Sequence, residues 1–576
     1  MEETFASRSR LRLLGRMNDD HPPVTTMDTT ALTPAEPEKE PAPQPSPPRE
    51  IELKLELAPA DWKRLARAPF LAEPLAAAAK AKRTEATYFD TPDGRLRKAG
   101  VSLRLRRTGA KTVQTAKASE GVAAGLFDRT EVEAETAGET PDLALLDGTP
   151  FEALFSKRKV REGIAPAFTV SMRRRTLIVT DGGFVAEMVV DEGSVTAGER
   201  SEPVCEIELE LRAGAAADLF AFARRIAESV PARLGFRTKS DRGYALLAGE
   251  ASRVVKKIEV ALDPAMSAGA AFQAIARACL AQLVANEEAL RSLGAPGAIH
   301  QSRVALRRLR AAISLFKIVV EDERRRAVSA ELKWMANALG AARDLDVQIA
   351  TMVEPARAAE PDDPDLAHLA AAFAARREAA LADAREASLG ERYRLMLVDT
   401  AAWIEAGAWL EGERPQRDAP VAEFAARLLR KKRKRIAREG ADLAALDADT
   451  RHEVRIEVKK LRYATEFFES VFATPHVAGE TAKEARKQAK KAARKATARH
   501  AAMLSLLETL QEDLGALNDL AVGARMSEGF DASDEALARG FAKLARPDAE
   551  EAFEEHMAAA VKAHRKLANA NPFWSV

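Results

Sequence analysis

Charged and apolar residues alternate in several short segments of the first half of the chain. Residues 50–56 read Glu-Ile-Glu-Leu-Lys-Leu-Glu. Alternate side chains of a β-strand share one face, so this pattern predicts strands with one charged and one apolar face. The same alternation occurs at Arg104 and Arg106, at Glu131, Glu133 and Glu135, at Arg173 and Arg175, and at Glu206, Glu208 and Glu210.

A charged strand face has two interpretations. The ordinary one is the solvent face of a half-buried sheet, which is the commoner explanation for any single strand. An exposed face usually mixes both signs, whereas here the acidic and basic segments are separate. Because aligned like charges repel, we expect the carboxylates to surround a hard cation and the basic side chains to bind a polyanion. The segments therefore predict an antiparallel β-barrel tunnel with a polar interior that holds one small ligand.

The composition divides the chain into two parts of different character. With 88 basic and 87 acidic residues among 576, the net charge of +1 indicates no class of partner. The two cysteines are too few for a disulfide framework and fit a reducing compartment. We expect an α+β multidomain protein with four parts. They are a disordered tail over 1–48, a β-rich tunnel domain with flanking helices over 49–249, a linker over 250–264 and an all-α domain of two pseudo-symmetric bundles over 265–570.

Local signals refine this picture. Turn sequences at 91–94, 181–183 and 191–193 are expected to separate strands, and helices are expected near 59–68 and 214–229. No stretch approaches the roughly 18 to 20 apolar residues that a membrane span needs, and no apolar segment follows the N-terminal arginines. We therefore expect a cytoplasmic protein with no membrane partner.

The helical half contains an internal repeat. Two sets of four basic residues have the same spacing. The first set is His300, Arg303, Arg307 and Arg310, and the second is His452, Arg455, Lys459 and Arg462. A second matching pair of segments follows at 339–345 and 514–520. On a helix each set lies within an arc of roughly 80°. A solvated basic face is the usual explanation for one such stripe, but two copies that both begin with His favour an anionic ligand.

The first half resembles the CYTH domain, also called the triphosphate tunnel metalloenzymes. Residues 50–54 match the family's ExExK motif, and other landmarks follow in order over roughly 48–249. These are Tyr88–Thr91, Leu103–Arg106, Thr115–Lys117, Arg129–Glu133, Asp191–Gly193, Glu206–Glu208, Lys239–Ser240 and Arg242–Tyr244. One departure is Ala116, where relatives usually have a larger apolar residue, and we expect it to affect only packing.

The resemblance implies a tunnel in which divalent Mg²⁺ or Mn²⁺ ions assist hydrolysis of a triphosphate. One ion is expected on Glu50, Glu52, Glu206 and Glu208. A second, which activates water, is expected nearer to Glu131, Glu133 and Asp191. Phosphate oxygens are expected to bind Lys54, Arg104, Arg106, Lys117, Arg129, Arg175 and Lys239.

The repeated basic helices resemble the CHAD domain, a conserved-histidine helical module, over about 265–570. The resemblance implies that this half binds long-chain inorganic polyphosphate and has no second active site. The basic run 430–435 is expected to extend the binding surface, and 483–499 to be a solvated helix or loop. Nucleic acid is a weaker candidate partner, because few aromatic residues are interleaved among the basic ones to stack on bases.

Together these features predict an inorganic triphosphatase that hydrolyses tripolyphosphate and binds long-chain polyphosphate, associated in the cytoplasm with polyphosphate granules. Two enzymatic alternatives remain open, hydrolysis of thiamine or nucleoside triphosphate and cyclisation of ATP to cyclic AMP. The scarcity of aromatic residues in the first half favours a small inorganic substrate over these. A third alternative is a polyphosphate-binding protein with no catalytic activity.

Overall fold

The computed structural model describes residues 49–118, 125–249, 254–293, 296–473, 483–523, 530, 533–544 and 549–574. Within these ranges the description does not extend to the side chains of 49–50, 126–129, 288, 291–293, 296, 483–490, 519, 521–523 and 549. The predicted tail 1–48 and residues 250–253 of the predicted linker lie outside the described residues.

Antiparallel strands dominate the first 200 described residues. Nine strands form one sheet: β1 Arg49–Glu56, β2 Lys82–Asp90, β3 Val101–Thr108, β4 Lys111–Ala118, β5 Leu126–Thr136, β6 Ala165–Asp181, β7 Phe184–Ala197, β8 Arg200–Ala213 and β9 Arg233–Leu234. The helices of this part are α1 Pro59–Leu65, α2 Pro69–Ala77, α3 Arg95–Lys98, α4 Glu152–Phe155, α5 Arg158–Arg161, α6 Ala216–Ser229 and α7 Lys239–Ala248. The helices expected near 59–68 and 214–229 correspond to α1 and α6.

The strand order is β5-β4-β3-β2-β6-β7-β8-β1-β9, and β1 also pairs with β5. The pairing of β1 with β5 extends over only five residue pairs, Arg49 to Leu53, whereas β6 and β7 pair along almost their whole length. The tunnel is therefore joined along a short seam, and the predicted closed barrel overstates the closure.

The two faces of the sheet differ as the alternation predicts. On β1, Leu53 and Leu55 are fully buried in the apolar core outside the tunnel, together with Ile207 and Leu209 of β8. The charged residues between them point to the opposite face, where they line a cavity. Burying the apolar face under helices such as α6 stabilises the sheet and leaves the charged face inside.

The expected turn at 191–193 is wrong, because Asp191, Glu192 and Gly193 lie inside β7. A Cβ atom on Gly193 would lie 2.0 Å from the carbonyl oxygen of Ser171 on β6. The glycine is therefore needed for close strand approach and not for a turn.

The second half is entirely helical within its described residues, apart from loops and an isolated bridge. Its helices are α8 Ala268–Leu293, α9 Pro296–Leu315, α10 Arg325–Gln348, α11 Glu354–Ala359, α12 Pro364–Leu389, α13 Glu391–Ala406, α14 Pro415–Asp418, α15 Val421–Glu439, α16 Ala448–Phe467, α17 Glu469–Ala473, α18 Lys483–Gly523, α19 Glu535–Lys543 and α20 Ala549–Asn569. The first repeat occupies α9 and α10, the second occupies α16 and α18, and α9 contacts α16.

One apolar core extends through both halves. It includes Leu53 and Phe222 from the first half and Phe272 and Trp403 from the second. Helix α6 packs against α13, and Arg224 Nε donates to Asp399 Oδ1 across this contact at 3.0 Å. The described part of the predicted linker also packs on the helices.

Helix α8 corrects the expectation about membrane spans. Within the part of the chain that the structure describes, Ala268–Glu287 is long and apolar enough to cross a membrane by length and composition alone. However, 67% of its apolar window is buried inside the fold, as in a core helix.

Helix α7 packs against β6, β7 and β8 through several specific contacts. Tyr244 donates its hydroxyl hydrogen to Asp90 Oδ2 at 2.9 Å, and Arg242 forms ion pairs with Glu56 and Glu202. A Cβ atom on Gly243 would lie 2.2 Å from the ring of Phe168. This close approach fixes how near α7 can lie to the sheet.

We predict that Gly243→Ala destabilises the protein. An alanine inside a helix normally adds up to ~1 kcal/mol of stability relative to glycine, but here the methyl group collides with Phe168, so we expect a loss of about 1–3 kcal/mol. The measurement is the free energy of unfolding in urea. Gly183→Ala is the control, because nothing lies within 4 Å of its added Cβ. Equal stability of Gly243→Ala and wild type would contradict the close packing of α7.

Candidate active site

The charged face of the sheet encloses a cavity of about 390 Å³. Its charged lining residues are Glu52, Lys54, Arg97, Arg104, Arg106, Lys117, Glu131, Glu133, Arg174, Glu187, Glu208, Glu210, Arg212, Lys239 and Asp241. The polar interior expected from the alternation is therefore present.

The two signs of charge come from different sides of the tunnel. Acidic side chains lie on four neighbouring strands, β7, β8, β1 and β5, where Asp191, Glu208, Glu52 and Glu131 are examples. Arg104, Arg106 and Lys117 line the opposite wall from β3 and β4, and Arg174 of β6 lies at the border of the acidic wall, where it contacts Asp191. Because of this strand order, the acidic and basic segments of the sequence form an acidic wall and a basic wall that face each other.

The acidic wall contains a cluster of Asp191, Glu206 and Glu208. One carboxylate oxygen from each lies within 4.8 Å of the other two, and Asp191 and Glu206 are fully buried. The ammonium group of Lys239, at the start of α7, lies 2.7 Å from Asp191 Oδ2, 2.5 Å from Glu206 Oε1 and 2.9 Å from Glu208 Oε1. We name these three carboxylates the acidic cluster.

Two further cations border the acidic cluster. Lys54 contacts Glu208 and lies 2.6 Å from Glu52 Oε1, and Arg174 donates to both carboxylate oxygens of Asp191, at 2.9 and 2.6 Å. Burial by itself raises the pKa of Glu208, but Lys239, Lys54 and Arg174 outweigh it and hold that pKa well below its usual range. Glu208 is therefore ionised at neutral pH.

The acidic cluster fits a hard divalent cation. Carboxylate oxygens are the ligands that Mg²⁺ and Mn²⁺ prefer. Among the described residues, Glu206 Oε2 is a buried acceptor with no hydrogen-bond partner. A buried acceptor of this kind normally has a partner, and a metal ion would provide one.

Two further predicted carboxylates, Glu131 and Glu133, form a separate group on β5. Glu131 Oε2 lies 2.9 Å from Lys117 Nζ, and Glu133 Oε1 accepts a hydrogen bond from Thr115 Oγ1 at 2.8 Å. Asp191 was expected near these two residues, but it belongs to the acidic cluster with Glu206 and Glu208. Its register position opposite Arg174 on β6 explains this placement.

The basic wall is crowded with like charge. Arg104 and Arg106 extend from β3, and Arg174 from β6. Burial, Arg104 and Arg174 together lower the pKa of Arg106, and Glu133 and Glu131 oppose this effect only partly. Guanidinium groups held this close together favour a polyanion between them.

The structure does not place the side chains of three predicted site residues, Arg175, Glu50 and Arg129, in the cavity. Arg175 does not line the cavity, because it lies opposite Val190 in the register and shares the face of Leu177 and Val179 in the core. Its neighbour Arg174 takes the expected place. The side chains of Glu50 and Arg129 lie outside the described residues, although their backbones pair across β1 and β5.

Sequence reasoning also missed other residues of the cavity, among them Arg97, Tyr88 and Arg212. Arg97 lies on α3 in the loop after β2, and Tyr88 is on β2 itself. No alternation marks Arg97, whereas Tyr88 stood among the landmarks without an assigned role.

In each repeat of the helical half, a glycine of the second segment lies close to an arginine of the basic stripe. A Cβ atom on Gly340 would lie 2.7 Å from Arg303 Nη1, and one on Gly515 would lie 3.4 Å from Arg455 Nη2. The repeats thus share a design in which a glycine of the second segment makes room for an arginine of the first.

The two stripes differ in their partners. In the first repeat, burial and the neighbouring Arg343, Arg307 and Arg303 lower the pKa of His300. In the second, His452 Nδ1 lies 3.0 Å from Asn518 Oδ1, and Arg462 is bound to Glu466. Arg343 is a further basic residue near the first stripe that the helical spacing of α9 does not indicate.

Two family models match the chain. Residues 48–244 match the CYTH domain, and residues 274–528 match the CHAD domain. The chain therefore contains a segment that matches the CYTH domain, followed by a segment that matches the CHAD domain.

Individual relatives match parts of it. An inorganic triphosphatase of Haemophilus influenzae is 33% identical over 162 residues, 28% of this chain and 45% of the relative, so the chain spans less than half of that protein. The CHAD domain of the plant Ricinus communis is 27% identical with a TM-score of 0.43, covering 54% of this chain and 97% of that one. A candidate adenylyl cyclase from Hippeastrum, described as having a dominant triphosphatase activity, is 17% identical with a TM-score of 0.27, covering 35% and 97%.

We predict that Arg174→Gln destabilises the protein far more than Arg175→Gln. The first change leaves fully buried Asp191 without its bidentate partner, which typically costs about 2–4 kcal/mol. The second removes a charge that faces away from the cavity and is expected to cost less than about 1 kcal/mol. Urea unfolding at pH 7 measures both, and equal losses would contradict the observed register of β6.

The same pair predicts a dependence on pH. Burial raises the pKa of Asp191, but Lys239 and Arg174 outweigh it and lower that pKa. A carboxylate with a lowered folded pKa stabilises the fold above its unfolded pKa of about 4, and this stabilisation is lost as the pH falls through the folded pKa. The stability difference between wild type and Arg174→Gln is therefore expected to shrink in acid, as urea unfolding at pH 3 and pH 7 would show.

Proposed function

We propose that the protein is a divalent-metal-dependent inorganic triphosphatase that hydrolyses tripolyphosphate in the CYTH tunnel. The observation that carries this proposal is the cavity with an acidic wall facing a basic wall. The CYTH match and the similarity to an inorganic triphosphatase support the same reaction class.

The chain's own side chains supply most of the binding. Arg104, Arg106, Arg174 and Lys117 offer hydrogen-bond donors to the phosphate oxygens, and their mutual repulsion is relieved when a polyanion lies between them. Such fixed donors also stabilise the charge that develops on the phosphoryl oxygens during transfer.

The acidic cluster and Glu52 would hold the metal ion. When bound, a divalent ion neutralises phosphate charge and makes a water molecule more acidic. On β5, outside the acidic cluster, Thr115 and Arg106 outweigh the effect of burial and hold the pKa of Glu133 below its usual range. Glu133 is therefore an ionised carboxylate that can orient a water molecule on the cavity wall.

The aromatic residues of the cavity favour an inorganic substrate over a nucleotide or thiamine triphosphate. Tyr88 is stacked on Phe168, with ring centroids 4.6 Å apart, and Tyr244 packs edge-on against Phe168. Both tyrosines are buried in a small core between β2, β6 and α7. Neither ring is free to stack on a base.

For the CHAD domain we propose binding of long-chain inorganic polyphosphate. On α9 the side chains of His300, Arg303, Arg307 and Arg310 are half-buried on one stripe, and Arg343 of α10 lies near them. Burial also lowers the pKa of Arg310, which shows the cost of keeping its charge there. An anionic chain would offset this cost.

We predict that Glu52→Gln abolishes most tripolyphosphate turnover. The change keeps the size of a buried side chain and removes one negative charge beside the acidic cluster, so phosphate release with Mg²⁺ or Mn²⁺ is expected to fall by about 100-fold or more. Glu135→Gln is the control, because Glu135 is an exposed residue of the same strand face as Glu131 and Glu133 and does not line the cavity. Absence of turnover in metal-saturated wild type would contradict the proposed reaction and favour a non-catalytic binding protein.

We predict that the double change Arg307→Gln and Arg310→Gln weakens polyphosphate binding by about 10-fold or more at physiological salt, because two charges of the stripe are lost. Binding would be measured by titration calorimetry with a long-chain polyphosphate. The control is the double change Lys562→Gln and Lys566→Gln, which removes two exposed charges from α20, outside the predicted binding surfaces. Equal losses in both variants would show that binding follows total charge, and duplex DNA competing at equal concentration would favour a nucleic-acid ligand.

A further inference from the structure

Lys239 occupies the centre of the acidic cluster. Its ammonium group lies within 2.9 Å of one oxygen from each of Asp191, Glu206 and Glu208. These three residues are also the set of carboxylates whose oxygens approach closely enough to share a metal ion. The same three carboxylates are thus candidate partners of two cations, the ammonium group and a metal ion.

We propose that Lys239 is a displaceable counter-ion, which a divalent metal ion must push out of the acidic cluster in order to bind there. This inference rests on the proposed function, since it concerns the metal site of the triphosphatase. It adds a role for Lys239 in metal binding to the phosphate contact that the family resemblance implies.

The distances make simultaneous occupancy unfavourable. Metal–oxygen distances in such sites are about 2.0–2.6 Å, and the three oxygens lie within 4.8 Å of one another. An ion bound to one oxygen of each carboxylate would therefore lie close to the ammonium group, which contacts the same three carboxylates. Two cations this close repel strongly in a buried site.

Lys239 is also the cation of this cluster that is best able to leave. Arg174 is held by two parallel hydrogen bonds to Asp191, and Lys54 lies in the middle of β1. Lys239 is the first residue of α7 and has a flexible four-carbon side chain that already borders the cavity. Its backbone can stay in place while the side chain rotates, because the capping box of Thr238 and Asp241 fixes the start of the helix.

Displacement would change the cavity in a useful way. The ammonium group would move from the acidic cluster towards the space between the walls, where it adds one donor to the phosphate-binding side chains. Metal binding would therefore prepare the cavity for the triphosphate, so we expect the metal ion to increase the affinity for the substrate.

The first experiment measures the Mn²⁺ affinity of the full chain by titration calorimetry, with no phosphate compound present. Lys239→Gln is expected to bind Mn²⁺ at least about ten-fold more tightly than wild type, because the competing charge is gone. Arg212→Gln is the control, since Arg212 also lines the cavity but pairs with Glu187 and Glu210, outside the acidic cluster. Unchanged or weaker Mn²⁺ binding by Lys239→Gln would overturn the proposal.

The second experiment uses wild type and so does not depend on the folding of a variant. Lysine side chains are labelled with an amine-reactive reagent and located by mass spectrometry, with and without Mn²⁺. Faster labelling of Lys239 in Mn²⁺, with Lys54 unchanged, would support displacement, and equal or slower labelling would overturn it. Neither experiment requires turnover, so a protein that hydrolyses no tripolyphosphate could still show displacement, and an active triphosphatase could fail to show it.

Discussion

The structure depends on the pairing of buried charges inside the tunnel. Asp191 and Glu206 are fully buried, and an unpaired carboxylate in such a place would be strongly destabilising. Lys239, Lys54 and Arg174 compensate them from three different elements, α7, β1 and β6. The position of α7 against the sheet, and with it the shape of the cavity, is therefore set by electrostatics as much as by apolar packing.

This pairing also supports the proposal that the site binds a metal ion and a phosphate chain. Charges that exist only to stabilise a fold are best paired one to one, yet here Glu208 contacts Lys54, Lys239 and Arg174, while the arginines of the opposite wall repel one another. The charges of the tunnel are balanced as a whole but not locally. A metal ion and a phosphate chain, arriving together, would correct both imbalances.

Much of this could be predicted from the sequence, because strand alternation fixes which side chains share a face. Glu52, Lys54, Arg104 and Arg106 line the cavity as the period of two requires. The alternation could not show which of the three arginines at 173–175 face the cavity, since either assignment of the strand faces places at least one arginine in the cavity. Likewise, the grouping of Asp191 depends on the pairing of β6, β7 and β8, which no local pattern contains.

The helical repeat could also be predicted from the sequence, because a spacing that occurs twice in one chain is hard to explain by chance. The contacts that distinguish the two copies could not be predicted from the sequence. Asn518 stands where Arg343 stands in the first copy, and only the structure shows that the former approaches His452 and the latter crowds His300.

The shared apolar core has a consequence for how the two domains can be separated. Because α6 contacts both the sheet and α13, a cut between the domains would expose the buried apolar face of α13 on one fragment and the part of α6 that it covers on the other. Large apolar patches of this kind promote aggregation. Because the two halves share one apolar core, a substitution deep in the helices is expected to lower the stability of the tunnel as well.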